Sequence, residues 1–471
     1  MGFLLATIFW VIVVAVLLAL LVNGYMVALM MRYPMPQWAN ELHAVTTEDG
    51  WNIQLFRRKT SEAPGEPVLL VHGLAANRLN FEAPRGHAMV DTLEADGYDC
   101  WLVELRSCES ATPPEGRDLG DISFDDYLYK DLPAAIDYIR ATTGHDKVHW
   151  VGHSMGAMLL YAYKAVFGSE HLASGIAIGA PAGFKNVTYT PPALLSRLNL
   201  AAPKFVRTLL KAVAPFARMF QTGLQAFPVN WANVHPDVDT DILLNMVEAV
   251  PPQVASELAE WLSTGNWRIR GRQVDITEKL GEAGLPLLVI CGKGDPLTPE
   301  IPSRRFFDSL PGKDKQFVLL SKKDGGSADY GHVDLLFGKQ GTEEVYLPAL
   351  QWIQNHPIKR VRRGPARKPA VASKAAAVEA VTPVKTPAKT KAAPAKKAAA
   401  AKKTTTAKKP AAAKKTTTAK KPAAAKKTTT AKKPAAKKKP AAKKKPAAKK
   451  AAGTAPKKRP AKKSSTETRR T

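Results

Sequence analysis

The 471-residue chain carries 69 Lys+Arg against 41 Asp+Glu, a formal charge of +28, and that excess sits at one end. From Lys359 onward there are 39 basic residues and two acids, Glu379 and Glu467, which leaves 30 basic and 39 acidic residues in 1–358, a net of −9. The body is thus a mildly acidic globule, and its odd, unpaired set of cysteines (Cys100, Cys108, Cys291) argues against a disulfide framework and against a thiolate metal site.

The first element runs from Phe3 to Met31 without a charged residue. At about 1.5 Å per helical residue, Phe3–Val22 alone crosses the roughly 30 Å of a bilayer core. No basic residue precedes it, it is too long for a signal-peptide core, and no Ala-x-Ala-like site closes it, so it reads as an uncleaved single-pass anchor. Arg32, the only nearby positive charge, favours a cytoplasmic C-terminal side, which would place the body and tail in the cytoplasm.

The globular part is expected over residues 40–356. Trp51–Phe56 alternates as a strand, and Glu62–Pro67 is a turn before the apolar run Val68–Val71, which ends in His72-Gly73-Leu74. A helical segment over 87–95, a strand over Tyr98–Val103 and a helix over Asp125–Arg140, with Leu128, Leu132, Ala135, Ile136 and Ile139 at helical spacing, come next. Strand Val148–Val151 leads through Gly152-His153-Ser154-Met155-Gly156 into a helix over Met155–Phe167; strands Gly175–Ile178, Leu285–Cys291 and Gln316–Leu320 and a closing helix over Thr342–Gln354 complete the series. Strands and helices alternating in this way, with near-continuous apolar strands, predict an α/β fold with a mainly parallel buried sheet. About 181–284 interrupts the pattern with helical segments, prolines and no convincing strand, which reads as a helical cap over the C-terminal edge of the sheet. Within it, Ala201–Phe220 mixes basic and apolar residues and is taken as a cap helix with a solvated basic face, in preference to a helix lying on a membrane.

Chemistry enters at Gly152–Gly156. A strand feeding a helix through Gly-x-Ser-x-Gly is a nucleophile elbow: the tight turn lifts the Ser154 hydroxyl off the sheet edge, and two residues without Cβ let strand and helix close around it. This architecture places an acid and then a His further along the chain. Asp295 follows the Leu285–Cys291 strand and His332 follows the last strand, so both loops can converge on Ser154. His332 would act as general base and Asp295 would hold its tautomer; the backbone N–H groups of Leu74 and Met155 would bind the oxyanion. His153 and His149 are rejected as bases, and Asp324, Asp329 and Asp334 are weaker acids than Asp295. His72, at a strand end, is expected to shape its loop and not to react. Nothing in this chemistry requires a cofactor or a metal.

Several blocks resemble one family: Asp121–Tyr127, Asp131–Ile139, Gly152–Gly156, Gly331–Gly338 and Glu344–Tyr346 look like α/β-hydrolases of the acid (gastric and lysosomal) lipase type, over roughly residues 40–355. The resemblance implies an α/β-hydrolase fold and a carboxylic ester hydrolase acting on an ester or lipid, with Ser154, Asp295 and His332 as triad and Leu74 and Met155 as oxyanion donors. Met155 stands where those lipases usually carry Gln, and Ser107-Cys108 stands where Gly usually follows the equivalent of Arg106, so acyl specificity does not carry over. A more distant similarity is to polyhydroxyalkanoate synthases, whose elbow nucleophile is Cys; Ser154 favours hydrolysis, including that of a polyester. The rival class is a non-catalytic tether, which would have no need to keep three triad residues.

The tail, 357–471, is built on Ala-Lys-Lys-Thr-Thr-Thr-Ala-Lys-Lys-Pro-Ala-Ala, present at Ala401–Ala412, Ala413–Ala424 and Ala425–Ala436. Without aromatic residues it can neither bury a core nor stack on bases, so disorder and phosphate neutralisation by lysines such as Lys402, Lys403, Lys408, Lys409, Lys414 and Lys415 are expected. Its composition resembles linker-histone tails and the tails of some granule-associated phasins, which implies nucleic acid or another polyanion as partner.

Overall fold

The computed structural model describes residues 2–182, 184, 193–216, 228–269, 273–280 and 284–359. The basic tail, with Lys402, Lys403, Lys408, Lys409, Lys414 and Lys415, lies outside the described residues.

Eight strands form one sheet: β1 (Glu41–Thr46), β2 (Asn52–Arg58), β3 (Pro67–Val71), β4 (Asp99–Glu104), β5 (Val148–His153), β6 (Leu172–Ile178), β9 (Leu287–Gly292) and β10 (Lys315–Leu320), in the order β1-β2-β4-β3-β5-β6-β9-β10. Only β2 pairs antiparallel, with β1 and β4; the other neighbours are parallel. Every residue of β3, β4, β5 and β9 is buried, because each run is apolar on both faces and helices cover both. Alternation divides the core: Leu69, Val71, Trp101 and Trp150 pack on the Met155–Phe167 side, whereas Val68, Leu70, Leu102 and Val151 pack against Met89, Leu93, Trp352 and Ile353. Strand β1 escapes the sequence pattern because it is a half-exposed edge strand with a polar register.

Strand order positions the site. From β3 the chain passes to β4 on one side, and β5 then lies on the other side of β3, so the loops after β3 and β5 part at the C-terminal sheet edge and leave a crevice there.

The segment between β6 and β9 contributes helices Ala193–Ala201, Pro203–Val213, Thr240–Met246, Pro252–Thr264 and Ile276–Lys279. It also holds an antiparallel hairpin, β7 (Arg268–Ile269) with β8 (Val274–Asp275), which corrects the expectation of a strand-free cap. Two-residue strands are too short to show a period, so nothing in the sequence marked them. Aromatic edge-to-face contact of Phe124 with Trp261, at 5.1 Å between ring centroids, fastens this segment to the body. A second correction concerns Pro203–Val213: its outward face is apolar, with Phe205, Leu209 and Val213 exposed, while Lys211 is buried. The expected solvated basic face is replaced by an apolar one. The three cysteines are free and buried.

The N-terminal helix runs over Gly2–Arg32, and its apolar side chains are exposed along Phe3–Val22. It is long and apolar enough to cross a membrane, a property that a signal sequence shares.

Candidate active site

Ser154 follows β5 with φ 53° and ψ −117°, a left-handed conformation that a non-glycine residue adopts only when its surroundings enforce it. The enforcement is visible in the flanking glycines. A Cβ on Gly152 would lie 2.4 Å from the Gly156 carbonyl oxygen, and one on Gly156 would lie 2.0 Å from the Val71 carbonyl oxygen. Any side chain at either position would push the helix off β3 and β5. The Ser154 N–H donates to Ile178 O at 2.9 Å, and Ser154 O accepts from Ala157 and Met158 N–H at 3.0 Å, which pins the elbow between β6 and the helix it starts.

The loop after β3 passes directly over this serine: a Cβ on Gly73 would stand 3.1 Å from Ser154 Cβ. Asn80 Oδ1 accepts the Gly73 N–H at 3.0 Å and holds the loop in place. His72 does the same from the other side. Its Nδ1 donates to Gly73 O at 2.8 Å, while Nε2 accepts from Leu105 N–H at 3.3 Å and from the Cys108 thiol at 3.3 Å. Burial lowers its pKa and keeps the ring neutral, as a loop-shaping residue requires. Leu74 and Met155, the proposed oxyanion donors, therefore sit on two backbone segments that the fold brings beside Ser154.

Asp295 and His332 come from the loops after β9 and β10, adjacent parallel strands. His332 Nδ1 donates to Asp295 Oδ2 at 2.7 Å, and both side chains are nearly inaccessible. Thr298 Oγ1 donates to the same oxygen at 2.5 Å, and Leu297 N–H to Oδ1 at 2.8 Å. Burial alone would raise the Asp295 pKa; the His332 charge and these three hydrogen bonds outweigh it and hold the carboxyl below its ordinary value. The acid stays ionised, fixes the proton on His332 Nδ1 and leaves Nε2 as the basic nitrogen. His332 is drawn to the elbow through its backbone: His153 Nε2 donates to His332 O at 3.1 Å, with the two rings 4.8 Å apart. Burial, followed by the charge of His332, depresses His153 to about 3, which suits a permanent donor and no base. His149 is committed elsewhere, to Ser174 and Glu66.

Four supporting residues take roles that only the tertiary structure assigns. Thr298 orients Asp295. Asp334, weighed as a catalytic acid, instead ties the histidine loop to the cap by accepting from Gly331 N–H (3.1 Å), Asn230 N–H (2.9 Å) and Asn233 Nδ2 (2.9 Å). Asn77 and Glu248 join the cap to the loop after β3, Asn77 Nδ2 donating to Glu248 Oε1 at 2.8 Å and Glu248 N–H to Ala75 O at 3.0 Å.

An elbow serine beneath the loop after β3, with an acid–histidine pair from the loops after β9 and β10, is the arrangement of an α/β-hydrolase site. The chain belongs to the alpha/beta hydrolase fold family, whose pattern it matches over residues 66–339. Among curated proteins it is similar to gastric triacylglycerol lipase of Homo sapiens, 34% identical over 134 residues, which cover 26% of this chain and 34% of the lipase. Lipase 1 of Drosophila melanogaster is likewise 34% identical, over 125 residues covering 25% of this chain and 28% of that one. The chain thus spans about a third of the length of these lipases. A longer and weaker match, 22% over 332 residues, covers 65% of this chain and 62% of the poly(3-hydroxyalkanoate) polymerase subunit PhaC of Haloferax mediterranei. Of solved structures, a thermophilic esterase from Thermogutta terrifontis is 20% identical, covers 67% of this chain and 99% of its own, and has a TM-score of 0.44.

Proposed function

We propose that this protein is a serine hydrolase that cleaves a carboxylic ester at a membrane surface, with Ser154 as nucleophile, His332 as general base and acid, Asp295 as its orienting carboxylate and the N–H groups of Leu74 and Met155 as oxyanion donors. The observation that carries this reading is the buried His332–Asp295 pair at 2.7 Å, beside a serine held at positive φ. An acid–histidine pair alone can serve only to fix a loop, and a strained serine alone can mark only a tight turn; at one strand-end crevice the two supply a base and the nucleophile it activates.

His332 Nε2 accepts the Ser154 proton as Oγ attacks the ester carbonyl, and the resulting oxyanion is met by backbone N–H groups already in position. The imidazolium then protonates the leaving alkoxide. Water repeats the sequence on the acyl-enzyme and releases the carboxylic acid. Replacing Ser154 by Ala should lower turnover of a p-nitrophenyl ester by about 10³-fold or more, and a fluorophosphonate should label Ser154 alone. Labelling elsewhere, or unchanged turnover, sinks the triad. The match to the polyhydroxyalkanoate polymerase subunit favours a second reading, hydrolysis of a polyester; release of hydroxyacid from poly(3-hydroxybutyrate) by wild type and not by Ser154→Ala distinguishes it.

Around this domain, residues 40–356 with the cap at about 181–284, we place a single-pass anchor at 3–31 and a polycationic tail at 357–471. The tail, through Lys402, Lys403, Lys408, Lys409, Lys414, Lys415 and their repeats, engages nucleic acid or another polyanion by charge; with nucleic acid as the partner, residues 32–471 face the cytoplasm.

A further inference from the structure

The Pro203–Val213 helix is inside out for a helix in water. Two of its cations point into the protein: Arg207 Nη1 lies 3.1 Å from Glu109 Oε2 and 3.6 Å from Glu248 Oε2, and Lys211 Nζ lies 3.6 Å from Glu109 Oε2. Its apolar row points out. Phe205, Leu209 and Val213 follow each other at intervals of four on one stripe, Phe216 continues it in the next turn, and these four side chains are 58%, 42%, 43% and 43% exposed. Leu200, in the preceding helix, is exposed as well. A cap helix facing solvent would bury this stripe and hydrate Arg207 and Lys211. Here those cations are taken up by Glu109 and Glu248, while Arg197 and Lys204 stand at the rim as exposed positive charges.

What covers the stripe is indicated by its neighbour. The end of the N-terminal helix docks on this same element: Tyr25 Oη donates to Ala212 O at 3.1 Å, and Leu29 is buried against Ala214 and Leu244, with Met26, Tyr33 and Leu243 around them. A hydrocarbon core of roughly 30 Å takes about 20 helical residues, so with Phe3–Val22 inside it Tyr25 stands about 5 Å beyond the boundary, at headgroup level, where tyrosines concentrate. The helix touching Tyr25 is then at the same level.

We propose that the Phe205–Leu209–Val213–Phe216 stripe is seated in the surface of the lipid bilayer, as a second and monotopic contact beside the chain's own anchor. Arg197 and Lys204 meet the headgroups, and two points of attachment, one spanning and one lying flat, remove the swivel that a single helix would allow. The hydrolase domain is thereby held in one orientation to the lipid. The seat rests on reading Gly2–Arg32 as a membrane anchor, and the test separates the two.

The experiment uses the full chain reconstituted in phosphatidylcholine/phosphatidylglycerol vesicles, with an environment-sensitive fluorophore on a single introduced cysteine; Cys100, Cys108 and Cys291 are buried, and burial raises their thiol pKa values, which disfavours labelling. Leu209→Cys reports the stripe, Leu5→Cys the anchor, and Leu42→Cys, exposed on the edge strand β1, the solvated body. Val213→Cys repeats the stripe measurement should the Leu209 variant fold poorly. Quenching by lipids carrying a nitroxide at a shallow acyl position should place the Leu209 and Val213 labels about 5–10 Å inside the headgroup boundary; Leu5, about 3 Å inside the far boundary of the core, should be quenched by the same lipids, and Leu42 by none. Leu5 quenched with Leu209 and Val213 unquenched keeps the anchor and overturns the seat. Leu5 unquenched as well removes the anchor and the seat together. Energy transfer between labelled copies at Leu209, without nitroxide quenching, overturns the seat in favour of contact between two copies of this chain.

Discussion

Replacing Asp295 by Asn removes one charge and almost no volume, and the hydrogen bonds around it fix the consequence. Oδ1 accepts from Leu297 N–H at 2.8 Å, so the asparagine amide oxygen stays there and its NH2 replaces Oδ2. That position now faces His332 Nδ1 at 2.7 Å and Thr298 Oγ1 at 2.5 Å, both donors to the carboxylate. The threonine hydroxyl rotates and accepts instead. The imidazole cannot follow without moving its proton to Nε2, and a protonated Nε2 cannot receive the Ser154 proton. A triad with the wrong tautomer loses about 10⁴-fold in turnover, equivalent to about 5.5 kcal/mol in the barrier. Initial rates on p-nitrophenyl butyrate across a range of substrate concentration should show kcat falling by that factor with KM little changed, while near-UV circular dichroism and the unfolding temperature stay close to wild type. A loss below about tenfold in a folded Asp295→Asn protein would mean that Asp295 does not set the His332 tautomer, and the assignment of both residues would fail together.

Glu248 offers a stability test with a definite sign. Burial pushes its carboxyl up to about 7, against the opposing hydrogen bond from Asn77 and the charges of Lys211 and Arg207. Between about 4.5 and 7 the folded state holds more protons than the unfolded one, so this group's contribution is full below pH 4.5 and is lost as pH rises through 7, by about 3 kcal/mol for a shift of that size. Glu248→Gln should therefore flatten the fall in unfolding temperature between pH 5 and 8, and parallel curves for variant and wild type would refute the assignment. For the tail, each twelve-residue repeat carries four lysines. Removing Ala401–Ala412 should flatten the dependence of log K on log salt by about 3.6 on either of two unrelated duplexes, since each neutralised phosphate contributes about 0.9. Discrimination between the duplexes, or binding only to anionic vesicles, would overturn a nucleic-acid role.

Much of the site is local and so was legible. The elbow announces itself because a strand-to-helix turn of that tightness needs Gly152 and Gly156 within five residues of sequence, and the structure shows the two carbonyl oxygens, of Gly156 and Val71, that forbid a Cβ. The sheet follows from apolar runs of strand length, the long N-terminal helix from an uninterrupted apolar run, and the tail's charge from composition. Asp295 and His332 could be nominated from chain order, since each follows a predicted strand. That β9 and β10 are neighbours, which makes a 2.7 Å contact across 37 residues, is a property of the sheet order alone.

Other features depend on what lies on the far side of a residue, and a one-dimensional pattern holds no such information. Asp295 and Asp334 are both acids that could serve the histidine; only packing shows that the first faces the imidazole and the second the backbone of Gly331 in its own loop and of Asn230 in the cap. Helical periodicity in 203–213 reveals two faces, one basic and one apolar, and is silent on which turns inward. Glu109, distant in sequence, supplies the countercharge that draws Arg207 and Lys211 inward, with Glu248 3.6 Å from Arg207, and so decides that Phe205, Leu209 and Val213 face out. Amphipathicity is written in the sequence, whereas its sign is set by the partners that the tertiary structure provides.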